Sequence, residues 1–158
     1  MKASVGNIQI RRMAAEDLPR VMEIAASLPD APHWTEAAYT TALNPESTPR
    51  RIALVAATAN DGNLLGFAVA SFLPPQAELE TIAVAAESHR RGLGGRLLAA
   101  LVGELRAAGV TELLLEVRAS NQAALGFYRA HGFVETGRRF GYYTDPVEDA
   151  VLMQVQIE

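Results

Sequence analysis

The chain has 158 residues, 49% apolar and 20% charged, an ordinary globular composition that excludes collagen, coiled coil and wholesale disorder. It has no cysteine, which excludes disulfides, cysteine-held zinc, iron–sulfur clusters and a covalent thiol nucleophile. The formal charge of −4 disfavours sequence-independent nucleic-acid binding, and its basic side chains are Lys2 and 13 arginines.

Ile8 and Ile10 alternate with polar residues and predict a first strand. Asp17 opens a helix with Pro19 in its first turn, where a missing N–H costs nothing, and Leu18, Val21, Met22, Ala25 and Leu28 follow at helical spacing. Pro29, Pro32, Pro45 and Pro49 break up the next stretch, within which residues 35–43 read as a short helix capped by Thr35. Residues 51–58 and 64–73 are β-rich runs joined by Asn60-Asp61-Gly62-Asn63, a hairpin signal. Pro74-Pro75 stops the second run, and residues 77–84 continue an antiparallel meander.

The pattern then changes. Residues 92–108 are helical, with Leu93, Leu97, Leu98, Leu101 and Leu105 on one stripe and Gly109 at the end. Residues 111–117 predict a strand, 121–130 a helix closed by Gly132, and 133–134 and 150–157 two final strands. Early hairpins followed by one βαβ crossover between 84 and 133 imply an α+β fold, a mixed α/β sheet distinct from a Rossmann fold. The expectation is a single domain spanning residues 1–158. Residues 1–12 hold no signal-length apolar run, and the longest apolar stretch, 97–102, is far short of the ~20 residues of a membrane span, so a soluble cytoplasmic protein is expected.

The most informative segment runs from Ile82-Ala83-Val84 through His89-Arg90-Arg91-Gly92-Leu93-Gly94-Gly95-Arg96. A strand enters a glycine turn and then a helix, whose first N–H groups lack internal partners and form a donor site at the positive end of the helix dipole. The spacing fits neither the dinucleotide fingerprint nor a P-loop. A tight turn with solvated arginines explains the glycines and arginines equally well. Arg90, Arg91 and Arg96 add positive charge in either case.

This segment resembles the acetyl-CoA motif of the GCN5-related N-acetyltransferases (GNAT), Q/R-x-x-G-x-G/A, with His89 departing from the usual first residue. The later run L-E-V-R-x-S-N-x-x-A-x-x-x-Y-x-x-x-G-F, from Leu115 to Phe133, is similar to the RimI-type branch, as are Pro32-His33-Trp34-Thr35-Glu36, Gly141-Tyr142-Tyr143 and Glu148-Asp149-Ala150. The resemblance implies a GNAT acyl-CoA N-acyltransferase fold. Ile82, Ala83 and Val84 would pair through their backbone with the pantetheine arm of acetyl-CoA, and Arg90, Arg91, Gly92, Leu93, Gly94 and Gly95 would hold the pyrophosphate. It also implies that Asn121 contacts coenzyme A, that Tyr128 touches the cofactor as general acid, and that Glu116 is the general base.

From the residues alone, Asn121 is a helix cap and Tyr128, two turns on, shares its helix face, so both can line one groove or Tyr128 can be a core aromatic. Glu116 interrupts an apolar strand, with Leu114 and Arg118 on its side and Leu113, Leu115 and Val117 on the other. A pair with Arg118 is the plain reading. Arg138 and Arg139 read as solvated, or as lying near an acceptor. His33, His89 and His131 lack metal spacing, so no metal is expected.

The resemblance therefore implies an enzyme that transfers acetyl from acetyl-CoA to the N-terminal α-amine of a protein, the alanine of a small-subunit ribosomal protein being the branch's target. Transfer would be direct, within a ternary complex. The expected partner is a protein N-terminus or peptide, with neither nucleic acid nor membrane, and the enzyme would be a monomer or homodimer. Alternatives are acetylation of a small amine or lysine, an acyl-CoA-binding regulator, and a nucleotide-binding module.

Overall fold

The structure, a computed structural model, describes residues 7–29, 31–89 and 92–158. Among the described residues seven strands form one sheet: β1 (Ile8–Arg12), β2 (Arg50–Thr58), β3 (Leu64–Leu73), β4 (Gln76–Val84), β5 (Glu112–Arg118), β6 (Val134–Tyr143) and β7 (Glu148–Gln156). Their order is β1-β2-β3-β4-β5-β7-β6; the β4–β5 pair is parallel and the other pairs of these strands are antiparallel. The α-helices α1 (Leu18–Ser27), α2 (Glu36–Leu43), α3 (Leu93–Ala107) and α4 (Gln122–Ala130) cover the sheet. The expected mixed sheet and its single βαβ unit, β4-α3-β5, are present.

The two faces follow from side-chain period. On β2, Ile52, Leu54 and Ala56 face the α3–α4 layer, while Ala53, Val55 and Ala57 face the α1–α2 layer. Both sides of β2 and β3 are therefore apolar, as strands covered on both faces require. Val21 and Ile24 of α1 pack with Tyr39 of α2 and Phe67 of β3 on one side. Leu97, Leu101 and Leu105 of α3 pack on the other. Each such side chain, fully buried, stabilises the fold by about 1.5–3 kcal/mol before entropy is charged against it.

Thr35 caps α2 as the sequence predicts, its hydroxyl accepting from the Ala38 N–H at 3.1 Å. The first helix starts one residue later than expected, after a 3₁₀ turn at Ala15–Asp17. Asp17 accepts the Ala14 N–H at 2.8 Å and both Arg11 guanidinium nitrogens, at 2.7 and 2.9 Å, fastening this turn to β1.

The largest departure is β6. The sequence shows a strand only at 133–134, whereas the strand runs from Val134 to Tyr143. Almost every residue of β6 is exposed, so no buried face imprints an apolar period on it. Its edge position and its pairing with β7 define it instead. β7 likewise begins at Glu148 rather than at residue 150.

One irregularity positions the site. Val69 pairs with Thr81 and Ala70 with Leu79, so Glu80 is the extra residue of a β-bulge in β4. The bulge inverts the strand's phase. Before it Ala77 and Leu79 face the α3–α4 layer, whereas after it Ile82 and Val84 do, and Ala83 faces α1–α2. The β4–β5 pairing covers only Gln76↔Glu112, Ala77↔Leu113 and Glu78↔Leu114. Past that point β4, bent by its bulge, and β5 part company.

Candidate active site

The parting of β4 and β5 opens a cleft of about 600 Å³. One wall is residues 79–84 of β4, and the other is residues 115–118 of β5 with Asn121, Ala124 and Tyr128. Ile82, Ala83 and Val84 therefore line the cleft together with Glu116, Asn121 and Tyr128. Asn121 caps α4, its Oδ1 accepting the Ala124 N–H at 3.1 Å. Both sequence-level readings of Asn121, cap and groove lining, are compatible with this placement.

Tyr128 is 9% exposed, its ring between Phe127 and Phe133 with centroids at 5.3 and 5.4 Å. Burial pushes its phenol up to about 12, because the phenolate loses its hydration there. The hydroxyl thus holds its proton throughout the neutral range.

Glu116 pairs with Arg139 of β6, Nε to Oε1 at 3.6 Å, and not with Arg118. Arg118 turns to Glu148 at 3.2 Å and lies over the Tyr143 ring, 4.2 Å from its centroid. Glu148 also accepts the Ser120 N–H at 2.6 Å. The Ser120 bond, with help from Arg118, holds the Glu148 carboxyl below its ordinary value. Arg139 was expected to be solvated or near an acceptor; its guanidinium is half in solvent and 5.1 Å from the Tyr142 ring centroid. Arg138 pairs with Glu135 on the surface.

A second groove, of about 440 Å³, adjoins the cleft on the α1–α2 side. Glu78, Glu116, Arg139, Pro49 and the exposed Leu73 line it. Glu116 faces both spaces. Burial, then the neighbouring Glu116 and Glu80, raises the Glu78 carboxyl above its ordinary value. Glu80 is bound by Arg51 through two contacts, at 2.8 and 3.3 Å. Sequence reasoning missed Glu78 and Glu80, and named Tyr143 only within the Gly141-Tyr142-Tyr143 resemblance. Only the alternation of β4 signalled the two glutamates, and a bulge that strand pattern does not announce changes where they point.

The glycine turn is partly described. Arg90 and Arg91 lie outside the described residues. Gly92 precedes α3 in the left-handed conformation, φ +74°. Leu93 is buried by its side chain. A Cβ on Gly94 would stand 3.2 Å from the Phe127 ring, and one on Gly95 would stand 2.9 Å from His131 Nε2. These two glycines therefore let α3 approach α4. Arg96 reaches the Ile8 carbonyl at 3.2 Å, towards β1. His89 Nε2 lies 2.7 Å from the Val84 carbonyl oxygen. Among the described residues no group of three or more His, Cys, Asp or Glu side chains could hold a metal ion, and no helix is long and apolar enough to cross a membrane.

A parallel strand pair that splays beside a glycine-started helix, with a carboxylate and a protonated phenol on the walls, makes a concave site with convergent polar groups, as a small-molecule or enzyme site requires. The model of the Acetyltransferase (GNAT) family matches residues 11–133, and the chain belongs to that family. It is an N-acetyltransferase with RimI-type relatives. The ribosomal protein bS18-alanine N-acetyltransferase of Escherichia coli (strain K12) is 43% identical over 99 residues, covering 61% of this chain and 67% of that protein. The N-alpha-acetyltransferase RimI of Mycobacterium tuberculosis is 36% identical over 160 residues, covering 98% and 96%. The crystal structure of the ribosomal-protein-S18-alanine N-acetyltransferase from Escherichia coli matches with a TM-score of 0.83 at 34% identity, covering 96% of this chain and 94% of that one.

Proposed function

We propose that this chain, acting as one catalytic domain, acetylates the N-terminal α-amine of a protein, the alanine of a small-subunit ribosomal protein being the favoured acceptor. The observation that carries this reading is the position of Glu116, on the wall between the β4–β5 cleft and the adjoining groove. A carboxylate there can meet an amine entering from one side and a thioester held on the other.

The cleft suits the narrow pantetheine arm. Its β4 wall carries backbone groups that β5 does not pair, and a ligand's amides can take them. Ile82, Ala83 and Val84 would hold the arm, Asn121 would contact the coenzyme, and residues 90–95 would receive the pyrophosphate at the α3 start. Acetyl-CoA supplies an activated acetyl group as a thioester.

The chain's own residues do the rest. An α-ammonium of pKa about 8 is ~10% free at pH 7, against well under ~1% for a lysine. Glu116, directly or through a water, takes the proton that stands between the ammonium and a nucleophilic amine. The Val84 N–H donates to the acetyl oxygen as charge gathers on it. The Tyr128 hydroxyl gives its proton to the departing sulfur; a thiol is a stronger acid than this phenol, so the transfer is completed as the nitrogen of the new amide sheds its second proton and restores the phenol.

Thiol release from acetyl-CoA against a panel of Ala-starting peptides, lysine-bearing peptides and polyamines tests the reading. Release is expected with the Ala-starting peptides, and Glu116→Gln is expected to slow it ~10²-fold or more. Faster turnover on polyamines would transfer the activity to small amines. Glu116→Gln at wild-type rate would remove Glu116 from the base role.

A further inference from the structure

His89 stands where the motif usually has Gln or Arg, and the structure gives that departure a definite geometry. The Ala85 N–H turns to β3 and meets the Leu65 carbonyl at 2.7 Å. Consecutive residues of an extended strand aim their backbone groups to opposite sides, so the N–H and C=O of Val84 face the open side of the splay. No β5 residue pairs with them there.

The carbonyl is nevertheless satisfied. A 3₁₀ turn at Ala86–Ser88, closed by Ser88 N–H to Ala85 O at 2.8 Å and His89 N–H to Ala86 O at 3.2 Å, carries the chain back. Ser88 is buried within the turn. His89 then sets its Nε2 2.7 Å from Val84 O. A carbonyl can only accept, so Nε2 carries the hydrogen, which defines the neutral ring as the Nε2–H tautomer.

We infer that His89 is a positioning residue: by donating to the Val84 carbonyl it fixes the end of β4, so that the group Val84 leaves available on the open side is its N–H, held for the acetyl oxygen. A free carbonyl at that place would repel developing negative charge and let the peptide turn. Gln and Arg, usual at this position in the motif the segment resembles, also carry a side-chain N–H donor.

The inference rests on the acetyl-CoA reading of the cleft, and two measurements separate the two. On the full chain, His89→Phe keeps a ring but loses the donor, and His89→Gln keeps a donor. His89→Phe is expected to lower kcat ~10-fold or more, a fraction of what losing an oxyanion donor outright costs, with the Kd for acetyl-CoA moving by less than ~3-fold. His89→Gln is expected to hold kcat within ~3-fold of wild type. A kcat for folded His89→Phe within ~2-fold of wild type overturns the inference, as does a collapse of acetyl-CoA affinity at unchanged kcat. Nitrogen-15 NMR of the wild-type imidazole reads the tautomer directly, whether or not the variants fold. Nε2–H is expected, and Nδ1–H overturns the inference. If wild-type chain fails to bind acetyl-CoA, the cleft reading falls and takes the inference with it.

Discussion

Tyr128, the general acid of the proposed mechanism, shows how burial keeps a group protonated. Its phenol, pushed up to about 12, is neutral throughout the neutral pH range, so its proposed role turns on placement rather than on titration. Tyr128→Phe keeps the ring against Phe127 and Phe133 while removing the one transferable proton. kcat is expected to fall ~10²–10⁴-fold, with the acetyl-CoA Kd changing by less than ~3-fold and thermal unfolding nearly unmoved. Single-turnover kinetics check this, and an unchanged chemical rate would remove the general-acid role. Glu116 shows the opposite dependence on context. Its strand position and face were readable from the alternation of 113–118, but its partner was not, because Arg139 arrives from a strand with no apolar period of its own.

At the scale of elements, close packing positions the end of β4. A Cβ on Gly66 of β3 would lie 2.8 Å from the Ala83 carbonyl oxygen and 3.2 Å from Leu97 Cδ1. Backbone cannot rotate away as a side chain can. Gly66→Ala must therefore push β3 and β4 apart beside Ala83 and Val84, where the cleft wall is built. Overpacking of this kind costs about 1–3 kcal/mol, and kcat is expected to fall along with the unfolding midpoint in denaturant. A midpoint equal to wild type would show that the strands absorb the methyl group. The bulge at Glu80 works at the same scale. It inverts the phase of β4 and coincides with the end of its pairing to β5, so the cleft is a consequence of one extra residue.

Across the whole molecule, the net charge of −4 hides local order. Arg11 and Asp17 join β1 to the turn before α1, and the Arg11 hydrogen bonds hold the Asp17 carboxyl below its ordinary value, more strongly than burial raises it. The folded-state value is thus lower than the unfolded value of about 3.9. The pair's contribution to stability is complete above that unfolded value and is lost as pH falls through the folded one. Asp17→Asn is expected to cost about 2 kcal/mol at pH 7, the worth of a buried charge-assisted bond, lowering Tm by roughly 4–8 °C. The gap between variant and wild type should close below pH ~4. Thermal melts across that range check it, and a gap independent of pH would refute the linkage.

The sequence by itself determined the succession of strands and helices, the βαβ unit and the family. These rest on local signals such as the Thr35 cap, the leucine stripe of α3 and the motif around Gly92, which neighbouring residues along the chain write. It also placed Asn121 and Tyr128 on one helix face, because helical period is a local property. Only the tertiary structure decided what Glu116 faces, where Glu78 and Arg139 stand, how far β6 extends, and what Gly94 and Gly95 accommodate. Each of these depends on a partner distant in sequence: Arg139 for Glu116, β7 for β6, Phe127 and His131 for the two glycines. Strand register and helix packing bring those partners together, and neither follows from the residue pattern within a single segment.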